Sequence, residues 1–429
     1  MRTFYTSLGL KPIDNLNNKL LIKSIRRHFK TIEIYNFNSI LYLFSNCNLN
    51  KKILNNSNQL IKILKKKKYI HTNGSIYKGI IKYKNKYLYK TIFIKEVPII
   101  NPTVLNINMD QSQIINYKNF ILSRYINSYN SASNIELLCC YLTSKLFELN
   151  ISPHFPLFYG YNVVILDKYT SEVSEDWIDL NFELIDFDKN LIIKNNNNFF
   201  LQRNNFPCLL IYMENMVNDL YHYIYQSGKI LEYEWSCYIF QVIAGLTVVQ
   251  KYYNLYHNDL HLSNIMYNYT TKKYLYYKFN TTYFRINTYN KIIKIIDWGR
   301  STYHFNNNQG NNITFNVEGE AFGQYINNRI NNQGKNYIDY NPSIDLYILG
   351  KNLITIDKFP NKGNLKNLVN KWINYSSSDH FNDESFDMYI RASKEAYNGI
   401  PKEQFYSIVF KKFIINKFSI PRNEIIYNL

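Results

Sequence analysis

Two short polar clusters, each framed by apolar residues, restrict this chain more than anything else in it. The first is His257-Asn258-Asp259-Leu260-His261-Leu262-Ser263-Asn264, set between a long helical apolar pattern and Ile265-Met266. An aspartate and an asparagine five residues apart in a loop suit a divided task. Asp259 can orient a hydroxyl and accept its proton, while the Asn264 amide oxygen is the hard donor that magnesium prefers. The second cluster is Ile295-Ile296-Asp297-Trp298-Gly299, an apolar strand ending in a carboxylate and then a glycine. A carboxylate held at a buried strand end can bridge a metal to phosphate oxygens, and the glycine is expected to let the chain turn sharply.

The rest of the chain reads as a folded protein, of a length that permits an enzyme. It has 429 residues, 46% hydrophobic and 19% charged, which is enough for two lobes or for two to three domains with their own cores. Its formal charge of +18 favours polyanions through long-range attraction. Heavy use of Lys, Asn, Ile and Tyr is also what A- and T-rich coding produces, so specific nucleic-acid binding is not expected, and the Lys65 to Lys68 run reads as a solvated face. No apolar run approaches the roughly 18 residues of a membrane helix. Met1 to Lys11 shows neither a signal-peptide core nor a myristoylation glycine, so the expected place is the cytoplasm. Cys47, Cys139, Cys140, Cys208 and Cys237 lack Cys-x-x-Cys spacing and read as buried free thiols.

Along the chain, residues 1–68 mix basic and apolar stretches without a motif and read as an extension of unknown role. Gly74 to Val97 carries β-branched and aromatic runs broken by Gly74, Gly79 and Asn85, as expected for strands of a small antiparallel sheet. Ile135, Leu138, Cys139, Leu142, Leu146 and Leu149 recur at the spacing of an amphipathic helix. Phe206 to Met213 reads as a strand, and a second long helix runs through Trp235, Ile239, Val242, Ile243, Leu246 and Val249. Asparagine-rich stretches at 195–198, 306–312 and 327–336 are poor core formers and are expected in surface loops.

The order of the two clusters, with hydrophobic strands around each, resembles the catalytic loop and the Asp-Phe-Gly segment of the protein-kinase superfamily. The resemblance implies an α+β, two-lobed fold. Residues 69–213 would form the small nucleotide-binding lobe with its antiparallel sheet, and residues 214–429 the larger, mainly helical catalytic lobe. It implies ATP and magnesium as cofactors, with Asn264 and Asp297 on the metal and Asp259 as the catalytic carboxylate. Gly74-Ser-Ile-Tyr-Lys-Gly79 is similar to the glycine-rich loop, with Ile76 where the second glycine would stand. Lys95 then resembles the lysine that contacts nucleotide phosphates. Glu136 is its expected ion-pair partner, with Glu148 as the alternative. Glu214 and Met216 fall where the adenine-binding hinge would lie, and Asp219 where a ribose contact would. Asp345-Leu-Tyr-Ile-Leu-Gly350 resembles the start of the helix that braces the catalytic loop.

Within the superfamily the wording Asn-Asp-Leu-His, the tyrosine-rich segment from Tyr267 to Asn290, and Asp297-Trp-Gly-Arg300-Ser301 resemble the divergent serine/threonine protein kinases of large cytoplasmic DNA viruses, poxvirus virion-assembly kinases among them. That likeness implies a protein substrate and a location in host cytoplasm or virion. His257 is expected to pack beneath the loop and not to act as a base. Asn258 stands where many regulated kinases have arginine, which implies activity without phosphorylation of the activation segment. His261 stands where those kinases carry a phosphate-contacting lysine, a feature shared with small-molecule phosphotransferases, so a small-molecule kinase is the alternative, with a pseudokinase scaffold the next. There is no clear Ala-Pro-Glu motif between Gly299 and Asp345. The sequence leaves the physiological substrate and the oligomeric state open.

Overall fold

The computed structural model describes residues 11–12, 19–36, 58–70, 74–84, 86–99, 102, 131–173, 192–195, 198–305, 308–310, 315, 321, 328–330, 336–338, 341–374 and 385–429. It is an α+β protein that divides into two compact units, residues 1–137 with 158–215, and residues 138–157 with 216–429.

The first unit is built on an eight-stranded antiparallel sheet. Its strands are β1 (Lys11–Pro12), β2 (Thr31–Asn36), β3 (Gln59–Ile70), β4 (Gly74–Tyr83), β5 (Lys86–Pro98), β6 (Phe158–Val173), β7 (Ile192–Asn195) and β8 (Asn198–Glu214). The order across the sheet is β1-β2-β6-β8-β5-β4-β3, with β7 pairing β8. Helix α1 (Lys19–Phe29) buries Leu21, Ile25 and Phe29, and the Ser24 hydroxyl accepts from the Ile63 N–H at 3.1 Å, tying α1 to β3. Residues 1–68, read as an extension, therefore contribute a helix and strands to this sheet. Their apolar stretches are short, and only pairing with β4 and β6 reveals what they cover. Lys65, Lys66 and Lys67 are exposed, while Lys66 lies beside the Tyr77 ring.

Helix α2 (Ala132–Glu148) is buried along nearly its whole circumference rather than along one stripe. Its polar residues accommodate this by bonding within the helix: the Thr143 hydroxyl donates to Cys139 O at 2.7 Å, and Lys145 pairs with Glu148 at 2.9 Å. Cys139, Cys140, Cys208 and Cys237 are buried free thiols, and Cys47 lies outside the described residues. The asparagine-rich stretches also fall largely outside them. Their described parts include Asn195 and Asn198, paired at the close of the β7–β8 hairpin.

The second unit is organised around α4 (Glu232–Tyr253), preceded by the short α3 (Leu220–Gln226). Glu232 and Glu234 in the first turn of α4 suit its positive end, and Asn254 closes it in the left-handed region at φ 42°. Two-residue strands β9 (Asn218–Asp219) and β10 (Leu255–Tyr256) frame this helix. β9 joins β11 (Ile265–Tyr269) and β14 (Lys291–Ile295) in the order β14-β11-β9. Between them lies the tyrosine-rich segment, a hairpin of β12 (Tyr274–Phe279) and β13 (Thr282–Asn287). β10 also pairs with β15 (Thr302–Phe305), which in turn pairs with β16 (Asn308–Gly310), and β17 (Asn328–Ile330) pairs with β18 (Asn336–Ile338). The carboxyl-terminal part supplies α5 (Ile344–Ile354), α6 (Asn364–Trp372), α7 (Ser385–Glu395), α8 (Pro401–Gln404) and α9 (Ile408–Lys411). It also adds β19 (Ile414–Ile415) beside β13 and β20 (Ile426–Asn428) beside β12, so the stretch expected to be helical also completes a four-stranded sheet. Among the described residues no helix is long and apolar enough to cross a membrane.

The core beneath β14 is unusually polar. Gly245 lets α4 approach it closely, since a Cβ there would stand 2.9 Å from Ile295 Cδ1 and 3.2 Å from His154 Cβ. His154 is fully buried; its Nδ1 lies 2.9 Å from Ile293 O and its Nε2 2.8 Å from the Tyr277 hydroxyl. A neutral imidazole satisfies both, donating to the carbonyl and accepting from the phenol. Burial pushes its pKa down to about 3, against 6.5 for an unburied histidine. The unfolded chain therefore binds the proton more readily than the folded one, and the stability that neutral His154 provides is complete above pH 6.5 and is lost as the pH falls from there toward 3.

At about 1.4 kcal/mol per pH unit, the second unit should lose ~2 kcal/mol between pH 7 and pH 5. Urea unfolding followed by tryptophan fluorescence checks this, because Trp235, Trp298 and Trp372 all belong to that unit. His154→Gln should flatten the dependence. An equal loss in parent and variant would contradict the assignment.

Candidate functional site

The octet containing Asp259 lies between α4 and β11, and three kinds of bond fix it. The first comes from below. Asp345, in the first turn of α5, is fully buried, and its carboxylate accepts from the backbone N–H of His257 at 3.1 Å and of Asn258 at 2.8 Å. Burial pushes this carboxyl up, while His257 and the two N–H donors oppose the shift. The second runs sideways. His257 Nε2 donates to Ile296 O at 2.7 Å, its Nδ1 faces the Asp259 N–H at 3.3 Å, and its ring packs on Trp298 with centroids 4.8 Å apart. His257 thus links the loop to the strand end carrying Asp297, and both ring nitrogens are occupied in doing so.

The third is made by a side-chain amide. Asn258 adopts φ 61°, a left-handed conformation that asparagine tolerates better than most residues. Its Nδ2 donates to Arg300 O at 3.1 Å and to the Thr302 hydroxyl at 3.0 Å. The segment after Asp297 is held here by neutral hydrogen bonds.

Asn264 is 6% exposed, and its Nδ2 donates to Asp259 O at 2.9 Å and approaches His261 Nε2 at 3.0 Å. His261 Nε2 accepts this bond, and burial lowers its pKa, which keeps the ring neutral. With the amide nitrogen so committed, Asn264 Oδ1 accepts no hydrogen bond from any described residue. Asp297 lies two residues past the end of β14, and the N–H of the intervening Ile296 donates to Asn264 O at 3.0 Å. The turn at this point is made by Asp297 itself, at φ 66°, whereas Gly299, expected to supply it, is not in the left-handed region. Strain of this kind costs about 1–3 kcal/mol and accumulates at functional sites. Asp259 and Asp297 both act electrostatically on His261, opposing the effect of its burial. Among the described residues no group of three His, Cys, Asp or Glu side chains could hold a metal. One amide oxygen and one carboxylate still suit magnesium, which keeps waters and phosphate oxygens as its remaining ligands.

Two residues at this site escaped the sequence reading. The Tyr389 hydroxyl, from α7, donates to Asp259 Oδ1. Arg300 Nε lies 3.7 Å from Asp259 Oδ2, with its guanidinium 5.4 Å from the centre of the Tyr389 ring. Tyr389 is one of 41 tyrosines and 130 residues distant from Asp259, so spacing could not have singled it out. Arg300 was visible in the sequence but had no assigned partner.

In the first unit, Lys95 on β5 donates to Glu136 Oε1 on α2 at 2.8 Å, with side-chain exposures of 12% and 1%. Glu148, the alternative, is engaged with Lys145 and Ser144. Gly74 and Gly79 lie within β4 and not in a loop. Gly74 is opposite Lys95, where a Cβ would meet the Ile94 carbonyl, and Gly79 is opposite Lys90. Residues 71–73, between β3 and β4, lie outside the described residues. Glu214 ends β8 opposite Ile92, and Met216 is buried at the start of the second unit. Asp219 caps α3, accepting from the His222 N–H at 2.8 Å and pairing with the His222 ring at 2.7 Å. A helix cap thus accounts for the carboxylate expected at a ribose.

No protein-family model matches this chain, and no curated protein matches it.

Asp345→Ala should destabilise the second unit by about 3 kcal/mol, because two buried N–H groups lose their acceptor. Asp345→Asn, which keeps one acceptor, should cost less. Urea titration checks the order, and an alanine variant as stable as the parent would contradict it.

Proposed function

We propose that this chain is a two-lobed, protein-kinase-like phosphotransferase that uses ATP and magnesium to phosphorylate serine or threonine hydroxyls of proteins. The observation that carries the reading is the state of Asn264. Its amide nitrogen is tied to Asp259 O and His261 Nε2, which presents an uncommitted amide oxygen next to the strand end that bears Asp297. An amide oxygen held in this way is available to a ligand, as a metal-binding role for Asn264 needs.

The first unit supports the same reading independently. Lys95 lies on the third strand of the β3-β4-β5 meander and is ion-paired to a glutamate on the helix that follows. A kinase holds its phosphate-contacting lysine by such a pair. Bound ATP and magnesium would supply the phosphoryl group and neutralise its charge. Lys95 would contribute positive charge to the phosphates, Asn264 and Asp297 hard oxygen donors, and Asp259 an oxygen that orients the acceptor hydroxyl and takes its proton. Most of the acceleration then comes from positioning and preorganised charge.

A small-molecule acceptor is less favoured. His261, the residue that suggested it, is occupied with Asn264 inside the loop. A nucleotide-free scaffold would leave the Lys95–Glu136 pair and the Asn264 oxygen without a purpose.

Asp259→Ala should lower turnover by about two to four decades while nucleotide affinity stays near the parent value. Phosphate transfer to protein acceptors, read beside a magnesium-dependent thermal shift with ATP, checks both halves. Unchanged turnover would remove Asp259 from its role, and absence of any shift in the parent would favour the scaffold.

A further inference from the structure

We propose that Tyr389 is a self-phosphorylation site, the first acceptor that this chain's catalytic carboxylate serves. The inference rests on the kinase reading above. That reading gives serine and threonine as the acceptors in other proteins, and the present inference adds a tyrosine within the chain: any acceptor hydroxyl must donate to the Asp259 carboxylate, and that bond is already made by the Tyr389 hydroxyl to Oδ1. Tyr389 is 8% exposed and is held there from two sides. Arg300 lies over its ring and beside the second oxygen of the same carboxylate. Helix α7 is fastened near its far end, where Glu395 Oε2 accepts from the Tyr347 hydroxyl at 3.2 Å. While Tyr389 stays, it competes with an external hydroxyl for Oδ1.

Burial and the neighbouring Asp259 raise the phenol's pKa, so Tyr389 is neutral and must lose its proton during the transfer. Its bonded partner, Asp259, is placed to receive it. The step balances with ATP as the co-reactant. The Tyr389 oxygen bonds to the γ-phosphorus, and the bond from that phosphorus to the β–γ bridging oxygen breaks. The phenolic proton passes to Asp259, and ADP leaves with the electron pair. The product carries about −1.5 to −2 charges beside a carboxylate, which repels it, and next to Arg300, which can pair with it outside the acceptor position. Modification of Tyr389 thereby vacates Oδ1 for other hydroxyls.

The test uses the full chain, first treated with a phosphatase and then given magnesium, ATP and dephosphorylated casein. Peptide mass mapping should find phosphate on Tyr389, appearing at a rate independent of protein concentration. Casein labelling should show a lag that matches this rate. Full-length Asp259→Asn mixed with the parent should stay unmodified at Tyr389, as intramolecular transfer demands. Tyr389→Phe, with its melting temperature compared to the parent's, should label casein without a lag. Casein labelled while Tyr389 stays bare would overturn the proposal and leave the kinase reading standing. So would a folded Tyr389→Phe with a large loss of turnover, which would make Tyr389 a positioning residue. No phosphate on either casein or Tyr389 would sink both. Should the variant not fold, mapping of the parent chain decides alone.

Discussion

One buried carboxylate holds the candidate site in place. Asp345 has no exposure, and its two oxygens satisfy consecutive backbone N–H groups of the loop that carries Asp259. A loop of eight residues has many conformations, and fixing each costs roughly 1–2 kcal/mol of backbone entropy. Bonds from a helix end that is itself packed in the core offset that cost at the point where the loop begins. From there the order propagates: His257, fixed by Asp345, holds Ile296, and Ile296 in turn bonds Asn264. Asn264 is thereby positioned by backbone and imidazole contacts, and its own amide oxygen accepts no hydrogen bond from any described residue.

Two left-handed residues complete this arrangement. Asn258 and Asp297 both have positive φ, and each is next in sequence to one of the two rings in the tilted His257–Trp298 contact. Each stores strain that the Asp345 and Asn264 bonds must counter, a pattern more in keeping with a site for chemistry than with a simple turn. The neutral tether from Asn258 to Arg300 and Thr302 fits the same account, since it fixes the segment after Asp297 without requiring a modification to supply charge. Tyr389 and Arg300 then close on Asp259 from a different part of the chain.

Much of the site could be read from order and spacing. The loop from His257 to Asn264 is contiguous, so its donor types and their separation are legible directly. Lys95 and Glu136 lie on a strand and a helix whose periodicities are strong, and the ion pair follows once those elements are assigned. What could not be read depended on tertiary placement. Gly79 looks like part of a loop, but its strand register puts it under Ile92 and Leu60. Asp219 looks like a ligand contact until α3 is seen to begin at the next residue, a signal that an aspartate before an apolar helix turn does carry. The strands within residues 1–68 have ordinary apolar patterns and acquire meaning only through partners distant in sequence. The glycine-for-turn rule failed at Gly299 because Asp297 takes the left-handed conformation first.

The central claim is that Asn264 and Asp297 hold the same ion. It is tested most directly by calorimetric titration of a magnesium-bound, non-hydrolysable ATP analogue into the parent, Asn264→Leu, Asp297→Asn and the double variant. Ligands of one ion are energetically coupled, so the double variant should lose clearly less affinity than the sum of the single losses. Strictly additive losses, or single variants that bind as tightly as the parent, would contradict the account.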